Sequence, residues 1–214
     1  LARDRFGEKP LYYGNIGKDF VFGSELKALR IHPDFSNKLD RSAISNFLQY
    51  SHVPSPKSIF EDIYKLPPAH ILCVDFQTNE KKLSTYWSLD DSKNISNKNM
   101  PFNKGLILNQ LHEKLNLAVS DQMVADVPVG AFLSGGIDSS LITALMQSES
   151  NSPINTFTIG FREKEYNEAE HARKVASHLG TKHVELYVTA KDALDLIQQL
   201  PHIYDEPFAD SSQI

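Results

Sequence analysis

One short stretch limits the fold of this chain more than any other. Ser134-Gly135-Gly136-Ile137-Asp138-Ser139-Ser140 follows an apolar run at 127–133 and leads into a helical pattern over 139–147. A polar, glycine-bearing loop between an apolar strand and a helix is the turn of a βα unit, and anions bind in such units at that turn. A helix start presents unpaired N–H groups and the positive end of the macrodipole. Gly135 and Gly136 carry no Cβ and tolerate positive φ, so phosphate oxygens can reach the backbone closely. Ser134, Ser139 and Ser140 add hydroxyl donors. Asp138 would repel a polyphosphate unless a cation lay between them, so its expected role is to hold Mg²⁺. The plainer reading is a Gly/Ser turn whose Ser139 caps the helix. No Gly-x-x-x-x-Gly-Lys-Ser/Thr occurs, and no Gly-x-Gly-x-x-Gly opens a helix, which sets aside the Walker loop and the simplest dinucleotide loop.

The residues around this loop repeat the same rhythm. Leu106, Leu108, Leu111, Leu115, Leu117 and Val119 recur at helical spacing, predicting a long amphipathic helix to about Met123. After the strand at 127–133 come a strand at 156–161, a helix at 167–179 ended by Gly180, a strand at 183–188 and a helix at 190–200. Strands alternating with helices predict an α/β fold with a parallel sheet.

The first part of the chain reads differently. Leu11-Tyr12-Tyr13-Gly14 and Phe20-Val21-Phe22 flank a turn and predict a hairpin. Ser24 is placed to cap a short helix at 25–30, and Asp40 to cap a second over 39–50. Val53-Pro54-Ser55-Pro56 interrupts regular structure, because proline lacks a donor and restrains its predecessor. Stretches 70–76 and 81–89 predict another hairpin. Residues 90–101 are polar and read as a linker, so the expected domains are 1–89 and 102–214. Lys81, Lys82, Lys98 and Lys104, scattered among Asn and Ser, read as solvated linker.

Composition excludes several classes of function. The 214 residues are 41% hydrophobic and 23% charged with net charge −5, the balance of a globular protein without the basic footprint of a nucleic-acid binder. No apolar run approaches the ~18 residues needed to span a bilayer. Cys73 is the only cysteine, so no internal disulfide forms, and a cytoplasmic setting is expected. Its apolar strand predicts a buried, inert thiol. His171, His178 and His183 lack zinc-site spacing with any cysteine. Glu168, Glu170, His171 and Arg173 read as a solvated helix face with at most a weak ion pair.

Leu133 through Ser140 resembles the pyrophosphate loop of the N-type ATP pyrophosphatases, whose members activate a substrate as an adenylate and release pyrophosphate. The first segment narrows this resemblance. Arg3-Asp4-Arg5-Phe6-Gly7-Glu8-Lys9-Pro10-Leu11-Tyr12-Tyr13 and Phe22-Gly23-Ser24-Glu25-Leu26-Lys27-Ala28-Leu29 resemble the late part of a class II glutamine amidotransferase domain. Leu66-Pro67-Pro68-Ala69-His70 and Tyr86-Trp87 resemble the end of that domain. Asp126-Val127-Pro128-Val129-Gly130, Phe157-Thr158-Ile159-Gly160-Phe161 and Leu179-Gly180-Thr181-Lys182-His183 continue the likeness. Together they are similar to the glutamine-hydrolysing asparagine synthetases.

The resemblance implies a mixed α+β amidotransferase part and a parallel-sheet, adenine nucleotide α-hydrolase-like part. It implies ATP and Mg²⁺ as cofactors, and glutamine, aspartate and ATP as small-molecule substrates. No nucleic acid and no membrane is expected as a partner, and a homodimer is a candidate assembly. Leu133 and Ile159 would lie against the nucleotide. The arginine-rich opening stretch would shape the fold rather than do chemistry. The family's N-terminal nucleophilic Cys, its later Ser-Gly-Glu-Gly segment and its catalytic Lys would lie outside these residues, so the chain reads as cut at both ends. Asp205, Glu206 and Asp210 sit in a Pro-containing turn, either a substrate loop or a polar connector. The stretch from Asp205 to Ser212 resembles only a subset of the family, which leaves open another acceptor carboxylate, such as a sugar acid or amino-acid derivative. A non-catalytic nucleotide-binding module is the reading from another class.

Overall fold

The computed structural model describes residues 1–90, 103–161 and 167–210. Almost all of the linker expected at 90–101 lies outside them. The chain divides into two compact units, residues 1–98 with 196–214, and residues 99–195. No helix among the described residues is long and apolar enough to cross a membrane.

The first unit opens on a loop wound around two charged side chains. The Arg3 guanidinium donates to the carbonyls of Lys9, Leu66 and Gly7 at 2.9, 2.7 and 2.8 Å. The Asp4 carboxylate accepts from the N–H groups of Phe6, Glu8 and Lys9. These bonds hold its pKa below the usual carboxylate range. The stretch is therefore structural, as its turn-like sequence implies.

It leads into β1 (Tyr12–Ile16), which pairs antiparallel with β2 (Asp19–Gly23) around a two-residue turn at Gly17-Lys18. β3 (Ile63–Lys65) pairs on the other side of β1, giving the order β2-β1-β3. Alternation along β1 turns Tyr12 and Ile16 inward. There they join Leu26 and Leu29 of α1 (Leu26–Leu29), Ala43 of α2 (Arg41–Tyr50), Val53, Ile59, Phe60 and Ile63. Ser24 does not cap α1. The cap position falls on Glu25, which makes no side-chain cap bond; the Asp205 carboxylate accepts from Leu26 and Lys27 instead.

β4 (His70–Val74) and β5 (Lys81–Thr85) form the second hairpin. Two expectations fail here. Cys73 is exposed, because neighbouring residues of a strand face opposite ways and Leu72 takes the inner face. Lys81 and Lys82 belong to β5 rather than to a linker, and Lys81 donates to Asn15 Oδ1 at 2.9 Å.

The second unit is α/β. α3 (Lys104–Gln122) is capped by Asn103, whose side chain accepts from Leu106 N–H. Its amphipathic stripe is only partly used: Val119 is buried, whereas Leu106, Leu108, Leu111 and Leu117 are exposed. β6 (Gly130–Phe132), α4 (Ile137–Glu149), β7 (Asn155–Phe161), α5 (Ala169–Leu179) and β8 (Lys182–Val188) follow, with strand order β6-β7-β8 and parallel pairing throughout. β6 is shorter than the 127–133 run, since Pro128 offers no donor and Val127 stands exposed. Gly180 ends α5 at φ +72°.

With consecutive strands as neighbours, right-handed crossovers place both connecting helices on one face. The cores agree. Ala131 packs with Leu145 and Met146 of α4, and Leu133 with Ala172 and Ala176 of α5. The opposite face carries Phe132, Phe157, Ile159 and Leu186, all exposed. The helix expected over 190–200 is split into α6 (Ala190–Ile197) and α7 (Leu200–Ile203), because Pro201 cannot donate within a continuing helix and takes a first-turn position of α7.

Asp40 caps α2 as its position implies, accepting from Ser42 N–H at 2.8 Å and Ala43 N–H at 3.2 Å. The Ser42 hydroxyl bond, then these backbone bonds, lower its pKa to about 2. A depressed carboxylate stabilises the fold above its unfolded pKa and loses that contribution as pH falls through the folded value. Asp40→Ala should therefore destabilise the chain by about 1 kcal/mol at pH 7. In chemical denaturation the gap between variant and parent should close as pH falls from about 4 towards 2.

Candidate functional site

The loop that follows β6 is built from both crossover helices. Leu133 is fully buried, its N–H donates to Phe157 O at 2.9 Å, and its carbonyl accepts from the Thr158 hydroxyl. Its side chain and backbone are thus anchored to the core and β7. The chain then leaves the sheet at Ser134 and turns at Gly135, where φ is +80°.

A Cβ on Gly135 would lie 2.7 Å from His171 Cβ and 2.8 Å from the Ala172 nitrogen. The first turns of α5 therefore press directly on the loop. They can do so because Ala169, Ala172 and Ala176 line the inner side of α5, all buried. This small-residue spacing was visible in the sequence but is not itself chemical, and His171 reads there as part of a solvated face. The structure gives the His171 backbone a supporting place behind the loop.

Gly136 is the N-cap of α4 and supplies no side-chain cap. Ser139 is not the cap, since it stands in the third helical position. Its hydroxyl ties the loop together, within 3.0 Å of Ser134 Oγ and 3.3 Å of Gly136 O. Ser134 Oγ in turn accepts from Gly136 N–H. The first-turn N–H groups of Ile137, Asp138 and Ser139 have no intrahelical acceptor, and among the described residues no side chain caps them. Ser140 Oγ is shielded from solvent without a hydrogen-bond partner. Buried polar atoms are nearly always satisfied, so an orphan hydroxyl beside open N–H groups fits an anion. Asp138 is exposed in the same turn, and among the described residues no bond holds its carboxylate. An oxygen donor free to turn outward fits a hard cation such as Mg²⁺.

The remaining candidates are divided between the two units. Ile159 lies two residues before the end of β7 on the uncovered face and is 47% exposed, unlike the buried Leu133. The two therefore occupy opposite sides of the sheet. Asp205 and Glu206 belong to the first unit, where both carboxylates are engaged, and Asp210 is its last described residue.

The ion pair expected on the α5 face is stronger than a solvated contact. Arg173 grips Glu185 of β8 with two bonds of 2.6 Å and also reaches Tyr187 Oη at 3.2 Å. The Arg173 bonds, aided by the Tyr187 hydroxyl, lower the Glu185 pKa to about 2 against the effect of burial. The forked geometry clips α5 to β8 and so braces the helix that backs the loop. The partner lies twelve residues away in sequence, beyond any local pattern.

Two family models match the chain: glutamine amidotransferase domain over residues 1–87 and asparagine synthase over residues 110–214. A protein of Methanocaldococcus jannaschii, provisionally named glutamine-hydrolysing asparagine synthetase 2, is 37% identical over 214 residues, covering 99% of this chain and 40% of that protein. Glutamine-hydrolysing asparagine synthetase 3 of Bacillus subtilis is 31% identical over 221 residues, covering 96% and 35%. The chain thus spans less than half the length of these relatives. Among solved structures, a glutamine-dependent NAD+ synthetase from Acinetobacter baumannii in complex with ADP matches with TM-score 0.37 and 18% identity, covering 73% of this chain and 26% of that one.

The contact at Gly135 yields a contrast between adjacent residues. Gly135→Ala combines a positive φ with a backbone clash and should destabilise the chain by about 2 kcal/mol or more. Gly136→Ala meets only Ser134 Oγ, at 3.3 Å, and should stay within about 1 kcal/mol of the parent in urea denaturation.

Proposed function

Because the chain belongs to the family of glutamine-hydrolysing asparagine synthetases, we propose that the intact protein converts aspartate to asparagine with glutamine as nitrogen donor and ATP as driving substrate. One observation carries this reading: the open first turn of α4, set over a glycine at positive φ where a parallel strand ends.

In this reading the ATP pyrophosphate lies over Ser134, Gly135, Gly136, Asp138, Ser139 and Ser140. The fixed N–H dipoles stabilise charge building on the departing pyrophosphate without reorganising. Asp138 would hold Mg²⁺, which when bound offsets the charge of the polyphosphate. The aspartate β-carboxylate attacks the α-phosphorus, forming β-aspartyl-AMP as the bond to pyrophosphate breaks. Ammonia released from glutamine then attacks the acyl carbon, and AMP leaves. Ile159 offers apolar surface for the adenine, and Leu133 sets the loop's starting point from inside the core.

A second acceptor carboxylate is favoured by one feature, the Asp205–Ser212 stretch that only a subset of the family resembles. Pyrophosphate exchange into ATP, run on the full-length protein with aspartate and a panel of other acids, separates the two. Exchange with aspartate supports asparagine synthesis, and exchange solely with another acid moves the protein to that substrate.

Asp138→Asn tests the loop itself. It should lower adenylation by about 100-fold, the scale of losing a preorganised charge-stabilising group, while glutamine hydrolysis persists. Equal losses in both activities would refute the assignment.

A further inference from the structure

Residues 200–210 are built into the first unit, although the asparagine synthase match includes them. Asp205 caps α1 from outside, accepting from Leu26 N–H at 2.6 Å and Lys27 N–H at 3.1 Å. Glu206 accepts from Ile59 N–H at 2.7 Å and from Tyr12 Oη at 3.3 Å, and its carboxylate pairs with the Lys65 ammonium. Their side chains are only 10% and 14% exposed, so neither charge could be left there alone without a large penalty. Lys65 also donates to Val53 O. On either side of this pair, Lys27 Nζ donates to Ile203 O and Ala209 N–H to Ser51 O, at 3.2 and 2.7 Å. Burial, then the nearby charges of Glu206 and Asp205, push the Tyr12 hydroxyl pKa upward.

We propose that Asp205 and Glu206 form a clamp that makes residues 200–210 an integral part of the amidotransferase unit. The unit is then discontinuous: residues 1–90 leave Lys65 buried without its counter-ion and α1 without its cap. In sequence, residues 99–195 thus lie between the two parts of this unit. Neither carboxylate carries the signature of a substrate group, since each is satisfied by donors of the unit itself. The role is one of assembly, and it is independent of which acid the protein amidates.

Hydrogen–deuterium exchange on the 214-residue chain tests the clamp without any assay of activity. In the parent, the amides of Leu26, Ile59 and Ala209 should be protected. Glu206→Gln should speed exchange at Ile59 and across 200–209 by about tenfold or more, with β7 unchanged. If that variant fails to fold, Asp205→Asn decides: faster exchange confined to Leu26, Lys27 and 200–209 is expected. Parent exchange across 200–209 at the rate of an unstructured peptide would overturn the proposal. So would parental protection of these amides in the folded variants.

Discussion

The candidate site depends on one close approach, the backbone of His171 and Ala172 against Gly135. No other residue type fits there, because the space that a Cβ would take is filled and the backbone has positive φ. That contact fixes where the chain turns after Leu133, and hence where α4 begins and where its open N–H groups point. Ala169, Ala172 and Ala176 permit the approach, and the Arg173–Glu185 fork holds α5 to the sheet behind it. A ligand for this turn would meet donors already in place, which is the condition for electrostatic stabilisation without reorganisation.

The uncovered side of the sheet follows from topology. Consecutive strands in the order β6-β7-β8 set α4 and α5 against one face, and among the described residues the other face leaves Ile159 exposed. Parallel sheets normally carry cover on both faces, so the exposed Phe132, Phe157 and Leu186 mark the part of the fold least complete within the described residues. The chain spans less than half the length of its relatives.

Sequence patterns carried much of this architecture, for reasons that particular residues make plain. Asp40 was legible as a cap because capping is a contact over two or three residues. Gly180 was legible as a stop because αL backbone suits glycine. The strand–loop–helix turn at Ser134 was legible because a glycine-bearing polar stretch between an apolar run and a helical pattern is a local signal. Ser24 failed as a cap because its competitor, Asp205, lies about 180 residues downstream and is brought back only by the fold. Cys73 failed as a buried thiol because a short apolar strand does not announce which face will be covered. Leu133 and Ile159, read alike from their apolar strands, lie on opposite sides of the sheet, a distinction that needs the register of β6 against β7.

The central claim is that the first turn of α4 is a pyrophosphate site. Amide NMR of the 214-residue chain, titrated with inorganic pyrophosphate and Mg²⁺ and then with MgATP, addresses it most directly. The account predicts that the amides from Gly135 to Ser140 shift first and furthest with both ligands, and that Ile159 responds to ATP alone. Saturable shifts elsewhere, with the Gly135–Ser140 amides unmoved, would contradict it.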